Sequence, residues 1–352
     1  MIDEKLITEE VLNNTLKREV FKEIRTVLPS KMGKVRTVYP VNNSELIMMA
    51  SDNLSTHDRV HRRRVYGKGE NLNAISSYYF EQTKHIVPNH FIRSLAPNTW
   101  LVQKAQPILV EMVFRNYITG SAWESYDKNN GFEQGVEFCG VNLREGYKKN
   151  EKLDEIIFTP TAKGQVKDFS IPEFQGKDPE KDDPPITIEM IRRNYSLFGL
   201  RRPGDLDILI EAGFNLYNFI HSDLESKGHL LADTKWEFGY LPNETIGLID
   251  ECVTPDSSRF WSKTHYAFNQ VINEFVVVQD DKQHFRDYIE KLELHKSKDR
   301  ILEHWMNSEV LKEGVIKYCN IREAITGTQA EITTEPRKKV TLEALAKEGY
   351  LI

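Results

Sequence analysis

Cysteine is scarce in this chain. The three residues, Cys139, Cys252 and Cys319, lie far apart and are odd in number, which argues against a disulfide framework and a thiolate zinc site. No apolar run reaches the length of a membrane span, and the opening MIDEKLITEE is too acidic for a signal or transit peptide. Positive charge is not in excess either: the net charge of −6 argues against general nucleic-acid binding. None of the ten histidines stands in a triad-like or metal-ligand spacing, and His57 and His61 read as loop residues. No internal repeat or coiled-coil heptad is visible. What remains is 352 residues, 39% hydrophobic, enough for a large core split into two domains. A cytoplasmic protein is expected.

The most informative stretch runs from His229 to Trp261. Asp233, Lys235 and Glu237 fall on one face of an alternating strand, with Thr234, Trp236 and Phe238 on the other. GYLPNE marks a reversal, and a second apolar run, Ile246–Ile249, ends in Asp250–Glu251. Pairing the two runs as a hairpin brings Glu237 opposite or nearly opposite Asp250. Crowded carboxylates on one sheet face are costly unless they do something, the bland reading being a solvated face of cross-strand ion pairs. Just beyond, TPDSSR (Thr254–Arg259) gathers hydroxyls, a carboxylate and an arginine.

Elsewhere, residues 8–27 are expected to form an amphipathic helix capped by Thr8, with Leu12, Leu16, Val20 and Ile24 on one side. Lys34–Val41 and Glu45–Ala50 read as paired strands. Gly33 opens that hairpin, and Lys34 and Arg36 share a face, a cover for polyphosphate or else an exposed hairpin with solvated cations. Residues 51–70 form a basic loop without stacking aromatics, and Asn71–Ile86 a helix burying Leu72, Ile75, Tyr79 and Phe80. Trp100–Ala105 and Ile108–Thr119 read as a hairpin turned at Gln106-Pro107. Its second strand carries Arg115 and leads through Gly120–Ser121 into a helix, a junction able to hold an anion or simply a capped helix start. FTPTAKG (158–164) is a turn carrying Lys163, and 175–185 a charged, Pro-rich insertion. Helices are expected over Ile186–Leu197, Asp205–Ser226, His265–Glu274 and Lys282–Asn320, with a charged tail over 331–352 holding one more short helix.

GKVRTVY, SDNLSTHD, YGKG, FRNYITGSAWESY, FTPTAKG, LADTKWEFG and LIDECVTPDSSRFW occur in the order seen in the SAICAR synthetase family. The resemblance spans residues 33 to 261 and leaves the C-terminal helices unclaimed. It implies an α+β fold of two lobes: an N-terminal antiparallel β lobe like the small lobe of kinases and ATP-grasp proteins, and a larger α+β lobe with a helical C-terminus. The expected divisions are 1–110, 111–330 and a tail, 331–352. The implied activity is an ATP-dependent ligase of purine biosynthesis that joins L-aspartate to the carboxylate of the ribonucleotide CAIR, with magnesium. Its partners would be these small molecules, with no nucleic acid and no membrane.

Carried over residue by residue, the resemblance assigns Gly33, Lys34 and Arg36 to the ATP phosphates and Lys163 to ATP. The backbone near Glu111 would hold the adenine edge, and Glu237 and Asp250 would bind the metal and, with it, ATP. Asp233 and Lys235 would be the catalytic residues at the carboxylate end of CAIR. Arg115, Ser121, Ser258 and Arg259 would bind CAIR, with Asp168 near its base. The sequence departs from the family at Asn53, Thr56–His57 and VKDFSIPEF, which bears on the loop contacts of Ser55, Asp58 and Asp168. The rival readings are a ligase or kinase of this fold using another acid or amine, and a non-catalytic nucleotide-binding protein.

Overall fold

A computed structural model describes residues 2–352 except 57–58, 164–165, 167–182 and 280–281. Two antiparallel sheets dominate it. The first contains β1 (Lys31–Met32), β2 (Arg36–Pro40), β3 (Glu45–Ala50), β4 (Phe91–Ala96) and β5 (Thr99–Gln103), in the order β1-β2-β3-β5-β4. The second has the path β7-β6-β9-β10: β6 is Gln106–Tyr117, β7 Lys152–Phe158, β9 His229–Tyr240 and β10 Ile246–Ile249. The two-residue β8 (Thr161–Ala162) pairs with β6, and β11 (Ser258–Ser262) with β9.

Between Gln103 and Gln106 the chain leaves one sheet for the other, so the expected hairpin over 100–119 does not form. β5 already has β3 and β4 on its two sides, and β6 lies between β9 and the β7–β8 edge. Both strands take their partners from elsewhere, and residue 110 falls inside β6.

The alternation in β9 divides the second sheet. Trp236 and Phe238 are buried with Phe114 and Met112 of β6 in a core that also holds Leu209, Leu216 and Ile220. Those three residues belong to α3 (Asp205–Ser226), whose ends fall where the periodicity puts them. A Cβ on Gly213 would come 2.1 Å from the Phe114 ring, so glycine is what lets helix and sheet approach so closely. Each large side chain buried here contributes roughly 1.5–3 kcal/mol, enough to fix which face of β9 is free for charges.

Other helices are α1 (Lys68–Thr83), α2 (Gly120–Lys128), α4 (Gln283–Lys291), α5 (Ser308–Thr326) and α6 (Arg337–Lys347). Helix α1 buries Leu72, Ile75, Tyr79 and Phe80 as expected, and α5 packs against it. Among the described residues, no helix is long and apolar enough to cross a membrane.

Several expected helices are redirected by tertiary contacts. Thr8 caps its helix, but that helix stops at Asn13, because the Leu16 N–H goes to the Asp52 carboxylate (2.7 Å) and the Asn14 amide to the carbonyls of Thr333 and Glu335. Val20 is left exposed, while Leu12, Leu16 and Ile24 are buried. The 265–274 region is a hairpin, Ala267–Asn269 with Glu274–Val276. Asn269 closes its turn on the Val271 N–H, and Phe268 faces Phe275. Residues 282–320 break after α4, where Glu293 takes φ +55°, and resume at Lys298–Glu303 and α5. The helix expected over 186–197 is confined to Ile188–Arg193. The charged C-terminal segment holds the one short helix expected of it, α6, and is tied down. Arg337 is buried beside Glu70 and Asp52, and Leu351 bridges to Ile24.

Candidate active site

The turn between β1 and β2 brings Gly33–Arg36 over the charged face of β9. It is closed by the Gly33 N–H on the Arg36 carbonyl at 2.7 Å. A cavity of about 360 Å³ separates the two sheets there. Gly33, Lys34 and Arg36 line it on one side, and Lys235, Glu237, Asp250 and Glu251 on the other. Six residues distant in sequence and expected to act together therefore share one cavity.

Register explains the acid pair. Glu237 is opposite Ile249, so Asp250 follows one residue later, at φ +62°. This left-handed conformation ends the strand and is one that Asp tolerates better than most residues. Burial, followed by repulsion from Asp250, raises the pKa of Glu237 although Lys163 and Lys235 oppose it. Lys163 ion-pairs with Glu237. Lys235 pairs with Glu111 of β6. Burial alone would lower its pKa, but Glu111 and Glu237 outweigh burial and hold it above the ordinary value. Lys235 is therefore a fixed positive charge and not a base.

Glu111 departs from expectation. In the sheet it lies between Thr161 and Glu237, so its backbone is enclosed by strands on both sides and cannot present an edge to a base. Its side chain accepts from Thr161 Oγ1 (2.9 Å) and from Lys235.

A second cluster lies toward the start of β9. Asp233 is in register with Arg115 of β6 on one side and Arg259 of β11 on the other. Its Oδ2 accepts from Arg115 Nη1 at 2.7 Å and from Arg259 Nη1 at 2.5 Å. Arg115 also donates to Thr159 Oγ1 and to Ser121 Oγ, each at 2.9 Å. Burial lowers the Arg115 pKa, with Asp233 opposing it. Gly120, at φ +54°, lies under the Arg259 guanidinium; a Cβ there would come 2.5 Å from Nη2. Thr119, Gly120, Ser121 and Arg259 line a cavity of about 780 Å³, and a neck of about 80 Å³ past Asp233 and Ser258 adjoins it. Ser258 shares its hydroxyl with Thr234 Oγ1 at 2.7 Å. Asp168 lies outside the described residues.

Sequence reasoning passed over four residues of this cleft. Glu251 accepts from Arg36 at 2.8 Å. Asp256 accepts from Lys68 Nζ (2.5 Å) and the Tyr318 hydroxyl (3.0 Å). Burial would raise its pKa, but Lys282 and Lys68 hold it well below the usual carboxylate range. Lys282 and Arg286 complete the wall. Asp256 had a local signal in TPDSSR; Lys282 and Arg286 had none.

Cations at both ends and paired acids between them define a site for phosphate-bearing substrates. It works by placement and charge neutralisation. The family described as SAICAR synthetase matches residues 30–301. The phosphoribosylaminoimidazole-succinocarboxamide synthase of Saccharophagus degradans is 32% identical, over 94% of this chain and 96% of its own. A solved SAICAR synthase superposes with a TM-score of 0.70 at 26% identity, covering 90% of this chain and 99% of that one. The SAICAR synthase of Saccharomyces cerevisiae, complexed with SAICAR, gives 0.67 at 27% identity, with the same coverage. This chain belongs to the SAICAR synthetase family.

Proposed function

We propose that the cleft condenses CAIR with L-aspartate at the expense of ATP, giving SAICAR, ADP and phosphate in purine biosynthesis. The carrying observation is that the cavity of the Gly33–Arg36 turn and the Glu237–Asp250 acids shares Asp256, Ser257 and Lys282 with the neck past Asp233 and Arg259, where Arg115 and Arg259 both donate to Asp233. ATP would lay its phosphates under Lys34 and Arg36, within reach of Lys163. The CAIR phosphate suits Arg115, Ser121 and Arg259, two cations and a hydroxyl beside a helix start. With its Oδ2 committed to two guanidinium groups, Asp233 fits the role of orienting them.

Magnesium fits Glu237 and Asp250. They offer hard oxygens lining one cavity, and burial first, then repulsion from Asp250, raises the Glu237 pKa. Among the described residues no group of three His, Cys, Asp or Glu could hold a metal unaided, which suits an ion shared with phosphate and water. When bound it would neutralise charge on the ATP phosphates.

In the reaction, a carboxylate oxygen of CAIR attacks the γ-phosphorus. The bond from that phosphorus to the β,γ-bridging oxygen breaks, and ADP leaves. The amine of aspartate then adds to the acyl carbon, the acyl C–O bond breaks, phosphate departs, and the amine proton passes to water. Lys235, held protonated by its acids, would neutralise the charge developing on the acyl oxygens. The setting is read as cytoplasmic.

The test is ADP and SAICAR formation by the purified protein with each substrate omitted in turn. Turnover that needs all three supports the reading. ATP binding without turnover, or equal turnover with another acid or amine, overturns it.

A further inference from the structure

Behind helix α1, a further cavity of about 490 Å³ lies between α1, β4 and the end of α5. It shares no residue with the three cavities of the active site, and its volume falls within the range of small-molecule sites. Its floor is apolar: Ala74 and Tyr78 of α1, Phe91 of β4, and Pro97. Both rings are half-buried, Phe91 stacked on Phe80 and Tyr78 with the Lys227 ammonium 4.6 Å from its centroid.

One charge in this cavity is unmatched. The lining acids are paired, Glu70 with Arg337 and Glu81 with Lys84. Arg322 of α5 forms no ion pair among the described residues. Its Nε donates to Thr328 Oγ1 at 3.4 Å, and burial lowers its pKa, with Glu70 opposing. A half-buried guanidinium beside an apolar floor, with the hydroxyls of Ser94 and Thr328 at the rim, suits a ring that carries an anion.

The same helix touches the cleft from its other sides. Lys68 holds Asp256, Asn73 Oδ1 accepts from Arg36 at 3.5 Å, and Ser76 Oγ accepts from the Cys252 N–H at 2.8 Å. Glu70, Ala74, Ser77 and Glu81 form the outer stripe. A ligand on that stripe therefore bears, through one rigid helix, on the turn and the loop that face ATP.

We propose that this cavity is a regulatory site for a small molecule that joins an aromatic ring to one anionic group, the ring on Tyr78 and Phe91 and the anion on Arg322. Binding there is independent of the ligase reading; its coupling to the cleft rests on the part of that reading that gives Gly33–Arg36 to ATP.

Calorimetric titration of the full chain with naphthyl phosphate, naphthoate, naphthol and inorganic phosphate, each with and without saturating magnesium and ATP, tests it. At least one of the two aromatic anions should bind about tenfold or more tighter than naphthol and than inorganic phosphate, because ring and charge both contribute. Which of the two binds tells a phosphate ligand from a carboxylate. R322Q should cost that factor, R322K should restore part of it, and A74F, which fills the floor, should abolish binding. Saturating ATP should change the wild-type affinity for the anion about fivefold or more, and the anion should change the affinity for ATP by the same factor. If R322Q does not fold, R322K and A74F carry the comparison. Aromatic anions that bind no tighter than naphthol overturn the site. So does undiminished binding in R322Q and A74F proteins that melt like wild type. Binding that ATP leaves unmoved overturns the regulatory role. A wild type that binds the anion with coupling to ATP but forms no SAICAR sinks the ligase reading alone.

Discussion

Arg36 of β2 donates to Glu251 at 2.8 Å across the gap between the two sheets, with both side chains about nine-tenths buried. Glu251 follows Asp250 and has a pKa raised chiefly by burial, while Arg36 opposes that rise. Arg36 has other support, since it stacks 5.1 Å from the Trp100 ring and lies 3.9 Å from Asp250. The two ends of this bridge should therefore differ. R36M strands a buried acid and should cost about 3–5 kcal/mol, whereas E251Q should cost about 1 kcal/mol. Urea unfolding of both variants measures this. Equal losses would show that the pair, and not the stranded acid, sets the cost.

Asp250 and Glu237 give a metal prediction. D250N removes one hard oxygen, so the magnesium concentration for half-maximal ADP formation should rise about tenfold or more. Wild-type response in a magnesium titration at fixed ATP would remove Asp250 from the metal site. The pH sign follows from Glu237, whose folded pKa lies above its unfolded value. The folded protein then holds the extra proton in that window, and stability falls as pH rises through it. A bound cation reverses this. Magnesium with ATP should raise the melting temperature more at a pH above the window than inside it.

His90 behaves in the opposite sense. It is 3% exposed, and its Nε2 donates to the Asp250 carbonyl at 3.2 Å. Burial pushes its pKa from 6.5 down to about 4. As pH falls between those values, the unfolded chain takes up a proton that the folded chain refuses, so stability falls by roughly 3 kcal/mol across the window. H90Q should flatten that part of the profile. Urea midpoints at mildly acidic and neutral pH, wild type against variant, measure it; parallel profiles would refute the assignment.

The parts of the site legible in the sequence were those encoded at short range. The period of two over Asp233–Glu237 and the reversal at GYLPNE put Glu237 beside Asp250 without any knowledge of the fold. The glycine and alternating cations of Gly33–Arg36 marked the facing turn. What could not be read was carried by distant partners. Asp256 and Lys68 are 188 positions apart, and nothing local announces their pairing. Asp52 takes the Leu16 N–H from 36 positions away and ends a helix whose periodicity continues past it. Glu111 was placed in the correct strand, but which groups of that strand are free depends on both neighbours.

Gly120 and Arg259 offer a test of the CAIR end. G120A would place a methyl group 2.5 Å from the Arg259 guanidinium, at a φ of +54° that favours glycine. The guanidinium must shift, and the backbone strain adds about 1 kcal/mol. KM for CAIR should rise about tenfold with KM for ATP little changed, since a displaced charge-assisted contact costs about 1.5–3 kcal/mol. A variant that folds and keeps the wild-type CAIR KM would show that Arg259 does not hold the ribonucleotide.

Tyr318 lies in α5, beyond the residues that match the family, yet it touches the cleft wall. Its hydroxyl donates to Asp256 Oδ1 at 3.0 Å, and Lys68 Nζ, on α1, reaches Oδ2 at 2.5 Å. Lys68 is fully buried, Asp256 nearly so, and the Lys68 ammonium sits 5.9 Å from the Tyr318 ring centroid. The Thr254–Ser258 turn is thus fixed from below by two helices while its upper side lines the neck. Y318F removes one hydrogen bond and should cost about 1–2 kcal/mol. K68M leaves a buried carboxylate without its hydrogen-bonded cation and should cost about 3–5 kcal/mol. Urea midpoints of the two variants measure this. A K68M protein as stable as Y318F would show that Lys68 does not fix the Thr254–Ser258 turn.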